Sequence, residues 1–212
     1  MYYFISDLHF SHNSVNKSKD MRGFSSAEEL DNYMIHQWNS KVGNKDTVIV
    51  LGDFSMAKGK ETNRILSRLK GKKWLIVGNH DRLFLNDSEF NTNHFEIIED
   101  YKEFKINKKY IVMFHYPILT YNKQFSGSTY MLYGHIHNTT DQKLVDKFVE
   151  VSTNFKRENS PVEYAPCNLI NCFCMYSNYI PMSLEEWVEI DKQRKLIGSK
   201  ELINIQCSLN IE

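Results

Sequence analysis

The sequence predicts an α/β protein with a parallel sheet at its centre. In the first third of the chain, short apolar segments of strand length alternate with segments whose apolar residues recur at helical spacing. Strands that alternate with helices usually pair in parallel within one sheet. A length of 212 residues and a hydrophobic content of 42% are enough to build one sizeable core. We therefore expect residues 1–212 to form a single domain.

The first three predicted strands are buried and are separated by two helices. The strands span Tyr2–Ser6, Thr47–Leu51 and Trp74–Val77. A capping box at residues 25–28 begins the first helix, which ends before Gly43. The second helix spans Lys60–Lys70. This alternation is the basis for the predicted parallel pairing.

The later part of the chain is richer in strands. The pattern predicts a meander at Phe95–Ile98, Tyr101–Ile106 and Tyr110–Phe114, and further strands at Tyr130–Tyr133 and Lys147–Val151. Residues 154–166 are polar and contain two prolines, which is typical of a surface segment. A cap at residues 183–186 begins a last helix that ends near Leu196. Residues 139–178 match no functional pattern.

Side chains that can bind metal ions come directly after the predicted strands. They lie in the motifs Asp7-Leu8-His9, Gly52-Asp53, Gly78-Asn79-His80-Asp81, His115, and Gly134-His135-Ile136-His137. Ligands of open α/β sheets gather at the carboxyl ends of the strands, so we expect these side chains to converge there. Each motif alone is typical of a turn, a helix cap or a histidine packed in a core. Five in order, each at a strand end, favour a functional site.

The donor atoms of these motifs suit two metal ions. Imidazole, carboxylate and amide ligands favour Mn, Fe, Ni or Zn over soft thiophilic ions. Two such cations, about 3.5–4 Å apart, hold both the attacking and the leaving oxygen of a displacement at phosphorus. Water bound to such a cation loses its proton far more readily than bulk water, so hydroxide is available near neutral pH. The motifs therefore predict a two-metal hydrolytic site.

The motif set resembles that of the calcineurin-like metallophosphoesterases, which read D-x-H, G-D, G-N-H-D/E, a lone H, and G-H-x-H. The match runs from Asp7 to His137. It is most similar to the small bacterial and phage-type members of this family. Those members share D-L-H-F-x-H, R-x-F, W-N and P-x-S-L segments, found here at residues 7–12, 22–24, 38–39 and 181–184.

The resemblance implies a four-layer α/β/β/α sandwich with two divalent metal ions, Mn being expected first and Fe, Ni or Zn as alternatives. By the family pattern, the ligands of the first ion would be Asp7, His9, Asp53 and His137, and those of the second Asp53, Asn79, His115 and His135. Asp53 would bridge the two ions. His80 would donate a proton to the leaving oxygen or stabilise it, and Asp81 would orient His80.

The implied activity is hydrolysis of phosphate esters, phosphodiesters being favoured, by attack of a metal-bound hydroxide. One alternative is a non-catalytic metal-binding or interaction scaffold of the same fold, but such a scaffold is expected to lack ligands that this chain keeps. A nuclease is the other alternative. Nucleases usually present a basic groove, whereas Lys+Arg and Asp+Glu balance here at 26 each. Monoesters, diesters, cyclic nucleotides and dinucleotides all remain open as substrates.

Other residues give weaker indications of partners. His12, Arg22 and Tyr116 are candidates for contact with the substrate, although Arg22 is equally suited to pairing with Asp20 or Glu28. The expected partner is a small phosphorylated molecule; nucleic acid is not favoured, and the oligomeric state is open.

The expected compartment is the cytoplasm. No apolar run approaches the roughly 20 residues of a membrane span. The apolar N-terminal segment lacks the basic start of a signal peptide and is interpreted as a strand. Cysteines 167, 172, 174 and 207 fit buried thiols of a reducing compartment.

Overall fold

The structure, a computed structural model that describes residues 1–160 and 162–208, contains two four-stranded sheets. The strands of the first are β1 (Tyr2–Ile5), β2 (Thr47–Val50), β3 (Lys72–Ile76) and β4 (Ile97–Glu99). They are parallel and lie in chain order. The strands of the second are β5 (Tyr101–Ile106), β6 (Lys109–Phe114), β7 (Thr129–Tyr133) and β8 (Leu169–Asn171). There β5 is antiparallel to β6, and the other neighbours are parallel.

The longer helices connect or flank the strands. They are α1 (Ala27–Lys41), α2 (Gly59–Arg68), a short α3 (Arg82–Leu85), α4 (Thr140–Asn154), α5 (Leu184–Ile197) and α6 (Ser199–Ser208). A π-helical turn covers Val15–Lys19, and 3₁₀ turns cover Thr92–His94, Gln124–Ser126 and Cys174–Ser177. The predicted cap of α5 is confirmed as a capping box between Ser183 and Glu186. That of α1 lies one residue later than predicted, since Ser26 accepts from the Glu29 amide.

Side-chain alternation in the second sheet separates two apolar layers. Ile111 and Met113 of β6 join a large core that includes the strands of the first sheet. Val112, between them, joins a smaller cluster with Met131 of β7 and Val145 of α4. One face of the second sheet therefore packs on the first sheet, and the other packs under α4. The predicted α/β class and four-layer α/β/β/α arrangement are confirmed.

The end of β1 connects the two sheets. The Ser6 amide donates to the Cys172 carbonyl at 2.8 Å, and the Cys174 amide donates to the Ser6 carbonyl at 3.1 Å. The segment that follows β8 thus lies beside the segment that follows β1. Because of this contact, loops from both sheets meet at one edge of the sandwich.

Two predictions about the later strands are wrong. Lys147–Val151 is not a strand but part of α4. Val145, Phe148 and Val149 recur at helical spacing and pack on the second sheet, and this packing outweighs the β propensity of the segment. The predicted meander also fails at its first strand, because β4 pairs in parallel with β3.

Among the described residues, no helix is both long enough and apolar enough to span a bilayer.

Candidate metal centre

The structure brings the predicted metal ligands together at the carboxyl ends of the strands. Asp7 follows β1, Asp53 follows β2, Asn79 follows β3, His115 follows β6, and His135 and His137 follow β7. The candidate ligand atoms form two sets, and within each set all atoms lie within 4.8 Å of one another. One set comes from Asp7, His9 and His137, and the other from Asp53, His115 and His135. We call Asp7, His9 and His137 the inner group, and Asn79, His115 and His135 the outer group.

The inner group is enclosed. His9 Nε2 lies 3.2 Å from His137 Nε2, which lies 3.5 Å from Asp7 Oδ1. None of the three residues is more than 1% exposed. The Ser6 hydroxyl and the His135 amide both donate to the Asp7 carboxylate, at 2.7 and 2.9 Å. The three ligand atoms therefore face one another in a fixed arrangement.

The outer group is more open. His115 is buried, but His135 is only half-buried and Asn79 is exposed. His115 Nε2 lies 3.2 Å from Asn79 Oδ1. The other ring nitrogen of His115 lies 2.8 Å from the Leu51 carbonyl, and this hydrogen bond places the proton on Nδ1 and leaves Nε2 free to bind a metal.

Asp53 lies between the two groups. Its Oδ2 atom is 3.7 Å from His9 Nε2 and 3.4 Å from His115 Nε2. Its Oδ1 atom accepts from the His80 amide at 2.9 Å, which fixes the carboxylate. A carboxylate in this place is within reach of one ion in each group.

The residues fit two divalent cations. Nitrogen and oxygen ligands bind such ions at about 2.0–2.2 Å, so two ligands of one ion lie about 3–3.5 Å apart. The separations within the two groups, 3.2 to 3.5 Å, agree with this spacing. Buried imidazole nitrogens that face one another so closely repel each other through their lone pairs. A metal cation, or a bound proton paired with a carboxylate, is needed to stabilise them. The ligand atoms of both groups are nitrogen and oxygen, which suits Mn, Fe, Ni or Zn.

The backbone is strained where it presents the ligands. Asp7, His9, Asp53, His135 and His137 all have positive φ angles, between 48° and 69°. Non-glycine residues rarely adopt this conformation, and it concentrates at functional sites. Gly52 has a φ of 89°, and a Cβ atom there would come within 2.3 Å of His115 Nδ1. Glycine before Asp53 is therefore required by the close approach of the His115 ring.

Charge balance in the centre is reflected in shifted pKa values. Burial alone would lower the pKa of His137, but Asp7 and Asp20 reverse this and raise it to about 9. Burial also opposes the rise at His115, where Asp53 and Asp7 raise the pKa to about 9. The same histidines hold the pKa of Asp7 well below its usual value against the effect of burial. Carboxylates and cationic groups therefore stabilise one another here.

His80 lies at the exposed rim of the centre. Its Nε2 atom is 3.9 Å from Asp53 Oδ2, its side chain is 35% exposed, and its ring lies 5.4 Å from that of His9.

The role predicted for Asp81 is corrected. Its buried carboxylate accepts from the amides of residues 53, 54 and 78, and no hydrogen bond between described residues joins it to the His80 ring. Asp81 ties the two strand-exit turns together, and burial raises its pKa to about 7.

The three candidate substrate residues lie in different environments. Tyr116 is 38% exposed, and its ring lies 4.4 Å from the His135 ring. His12 is half-buried, with its ring 5.4 Å from the His9 ring. Arg22, in contrast, is buried, and its guanidinium donates to Asp20 and to the carbonyls of residues 7 and 8. The prediction of Arg22 as a substrate ligand is corrected in favour of its pairing with Asp20.

Residues that sequence reasoning missed surround the inner group. Asp20 Oδ1 lies 2.7 Å from His137 Nδ1. Asn171 donates to the His137 carbonyl, the Phe173 ring stacks on the His137 ring, and the Cys174 thiol donates to the Asp7 carbonyl. These contacts join residues that are 34 or more apart in sequence, so no local pattern reveals them. Part of the segment 139–178, to which the sequence assigned no role, therefore packs against the inner group.

Two ligand groups that share a carboxylate, at the strand ends of a four-layer α/β/β/α sandwich, define the class of metallophosphatase-fold proteins. The match of a family model for calcineurin-like phosphoesterases covers residues 2–190. This chain belongs to that family, whose members are metal-dependent. The match extends well beyond the segment from Asp7 to His137 that carries the motifs.

Relatives of this chain occur in archaea, phages and bacteria. An uncharacterized protein of Methanocaldococcus jannaschii, MJ1445, is 29% identical over 92% of this chain and 93% of its own length. The Gene 66 protein of Mycobacterium phage D29 is 36% identical over 38% of this chain and 40% of its own length. The crystal structure of AQ665, a protein of unknown function from Aquifex aeolicus, superposes with a TM-score of 0.64 at 25% identity, covering 91% of this chain and 98% of that chain.

Proposed function

We propose that this protein hydrolyses phosphodiesters with the help of two divalent metal ions, Mn²⁺ being the proposed native metal. The observation that supports this most strongly is the position of Asp53, with one oxygen within 3.7 Å of His9 Nε2 and 3.4 Å of His115 Nε2. A carboxylate shared between two ligand groups is suited to a pair of ions that hold the attacking and leaving oxygens of one displacement.

The ions, when bound, activate a water and neutralise the charge of the phosphate. The chain itself positions the other groups. His80 presents a partly exposed imidazole beside Asp53, and we assign it the proton that the leaving oxygen takes up. Asp81 holds the turns that carry Asp53 and His80, because its carboxylate binds amides of both.

We assign substrate contacts to Tyr116 and His12. Tyr116 lies beside the outer group, and His12 lies beside the inner group. Tyr116 packs against the rings of His115 and His135 and still exposes part of its surface. A ring held in this way offers a rigid surface to an organic substituent of the phosphate. His12 lies beside the inner group, with its ring 5.4 Å from the His9 ring and its Nε2 atom 2.5 Å from the Ser14 hydroxyl.

The proposed substrate is a small phosphorylated molecule. Equal numbers of basic and acidic residues give the chain no net charge that would favour nucleic acid. We propose the cytoplasm as the compartment, since three cysteines, at positions 167, 172 and 174, are buried free thiols. The Cys207 side chain lies outside the part of the chain that the structure describes.

The test compares bis-p-nitrophenyl phosphate with p-nitrophenyl phosphate, using protein that has been stripped of metal and reloaded with Mn²⁺. We expect metal-dependent turnover with preference for the diester. Preference for the monoester would replace the diesterase proposal with a phosphatase. Absence of turnover with metal shown to be bound would contradict the proposal and favour a metal-binding scaffold.

A further inference from the structure

The His137 ring is fixed on three sides. Its Nε2 atom faces the inner group, at 3.5 Å from Asp7 Oδ1 and 3.2 Å from His9 Nε2. Its Nδ1 atom lies 2.7 Å from Asp20 Oδ1. The Phe173 ring stacks on its face with a centroid separation of 4.7 Å and an interplanar angle of 24°. The orientation of this ligand is therefore determined by residues outside the ligand set.

Asp20 is itself held by a buried arginine. Arg22 donates from Nε and Nη2 to Asp20 Oδ2, at 3.0 and 2.8 Å, which leaves Oδ1 for His137. The Arg22 side chain is 0% exposed, and that of Asp20 is 5% exposed. A charge pair that is removed from water persists only when its hydrogen bonds are well satisfied, and here both partners are satisfied.

Arg22 also connects Asp20 to the first ligand loop. Its Nη1 atom donates to the Leu8 carbonyl at 2.7 Å, and Nη2 donates to the Asp7 carbonyl at 2.8 Å. One guanidinium therefore holds the backbone of the Asp7 loop and the carboxylate that contacts His137. The two loops that supply the inner group come from different sheets, and this contact fixes them relative to each other.

Among the residues that the structure describes, none places a carboxylate on the remote nitrogen of another histidine of the centre in this way. His115 Nδ1 bonds to a backbone carbonyl, that of Leu51. His9 Nδ1 is buried and has no partner among the described residues. A carboxylate on the remote nitrogen of a metal-binding imidazole places the proton there and makes the metal-facing nitrogen more basic. In this centre, that support is given to His137.

We infer that Asp20, held by Arg22, is a positioning residue that keeps His137 with its proton on Nδ1 and its Nε2 directed at the inner metal ion. This inference rests on the metal centre of the proposed function and adds to it Asp20, a residue outside the five ligand motifs. It also explains why the loop between β1 and α1 folds back on the centre. Arg22 acts through Asp20 and through the Asp7 loop, and neither residue contacts the substrate.

The test measures metal binding by the full chain rather than turnover. Mn²⁺ affinity and stoichiometry of metal-stripped wild type, Asp20→Ala and Asp20→Asn would be compared by calorimetry. We expect Asp20→Ala to weaken one of two ions by about 10–100-fold, the usual effect of losing such a partner, and to leave the other unchanged. Asp20→Asn, which preserves the volume, is expected to lie between Asp20→Ala and the wild type.

A matched control separates positioning from general stability. Asp191→Ala removes another buried carboxylate that pairs with an arginine, Arg194, at 2.8 Å. This variant is expected to lower the melting temperature but to bind both ions like the wild type. Repeating the Asp20→Ala titration in a His135→Ala background, where the outer group lacks a ligand, assigns the weakened ion to the inner group.

A spectroscopic measurement covers the case in which Asp20→Ala folds poorly. ¹⁵N-resolved NMR of the histidine rings in protein loaded with Zn²⁺, which is diamagnetic, reports which nitrogen of each ring carries the proton. We expect the His137 signals of Asp20→Asn to differ from those of the wild type, while the His115 signals keep a protonated Nδ1. Wild-type affinity for both ions in Asp20→Ala, or unchanged His137 signals in Asp20→Asn, would overturn the inference. Failure of the wild type to bind metal would instead overturn the proposed function.

Discussion

The inner and outer groups of the metal centre differ in burial and in what holds them. Asp7, His9 and His137 are at most 1% exposed, whereas His135 is half-buried and Asn79 is exposed. Side chains from distant segments support the inner group, while His115 of the outer group is held by a backbone carbonyl. The inner group is thus an enclosed arrangement held by distant side chains, and the outer group is the more solvent-exposed side of the centre.

This difference predicts unequal affinities. Ligands that are already held in place lose little freedom when an ion binds, so more of the binding free energy is retained. We therefore expect the inner group to bind its ion more tightly than the outer group. The variants below test this comparison, beginning with the residue common to both groups.

Removal of the shared carboxylate is expected to have the largest effect. Asp53→Ala takes away the oxygen that faces His9 and His115 and leaves both groups short of a negative charge. Hydrolysis should fall to the level of the metal-free protein, and bound metal, measured by elemental analysis after gel filtration, should fall as well. Asp191→Ala is the control. An Asp53→Ala variant that keeps two ions and its activity would refute the shared role of Asp53.

Removal of His80 is expected to affect the reaction but not the ions. His80 lies at the rim and belongs to neither group. His80→Ala should slow diester hydrolysis by about 10²–10⁴-fold, the usual contribution of one acid–base group, with the metal content unchanged. The loss should be greater for an alkyl ester than for a p-nitrophenyl ester, because p-nitrophenolate leaves without a proton.

The matched control for this variant is His36→Ala, which removes an exposed histidine of α1. It should keep the wild-type rate. Equal rates for His80→Ala and the wild type on the alkyl ester would remove His80 from the mechanism.

The smallest expected effect concerns the loop that continues from the inner group. Asp31 of α1 is buried and accepts from the amide and hydroxyl of Ser11, two residues after His9. Burial raises the pKa of Asp31 to about 6. Between pH 4 and 6 the folded protein therefore binds more protons at this carboxyl than the unfolded chain does. The stabilisation that protonated Asp31 gives the folded protein is fully present below this range. It is lost as the pH rises through 6.

Asp31→Asn removes this dependence on pH. From pH 4.5 to 6.5, the difference in unfolding free energy between variant and wild type should move in favour of the variant by about 2 kcal/mol. Urea unfolding of metal-free protein at both pH values measures it. A difference that stays constant with pH would show that Asp31 is ionised throughout the range.

The convergence of the candidate ligand residues was predictable because strand periodicity and chain order place them. Asp7, Asp53 and His115 each follow a buried apolar segment, and strand ends converge whatever the details of packing. The α/β class follows from the same alternation. Helix α5 was predictable because its cap is local, in the residues from Ser183 to Glu186.

The remainder depends on tertiary contacts that a local pattern does not contain. Asp20 contacts His137, 117 residues away, and Arg22 reaches back to Asp7. From sequence alone, Arg22 was equally suited to binding a substrate phosphate and to pairing with Asp20 or Glu28. Burial under Phe173 and Tyr179 decides in favour of Asp20. The segment Lys147–Val151 is a similar case, since packing of α4 on the second sheet overrides its strand-like composition.

The most direct test of the whole account is a Mn²⁺ titration of metal-stripped protein in which bound metal and bis-p-nitrophenyl phosphate turnover are followed together. We predict two ions per chain, bound in two steps of unequal affinity, with turnover appearing as the second, weaker ion binds. Turnover without metal, turnover complete after one ion, or two ions bound without any turnover would contradict it.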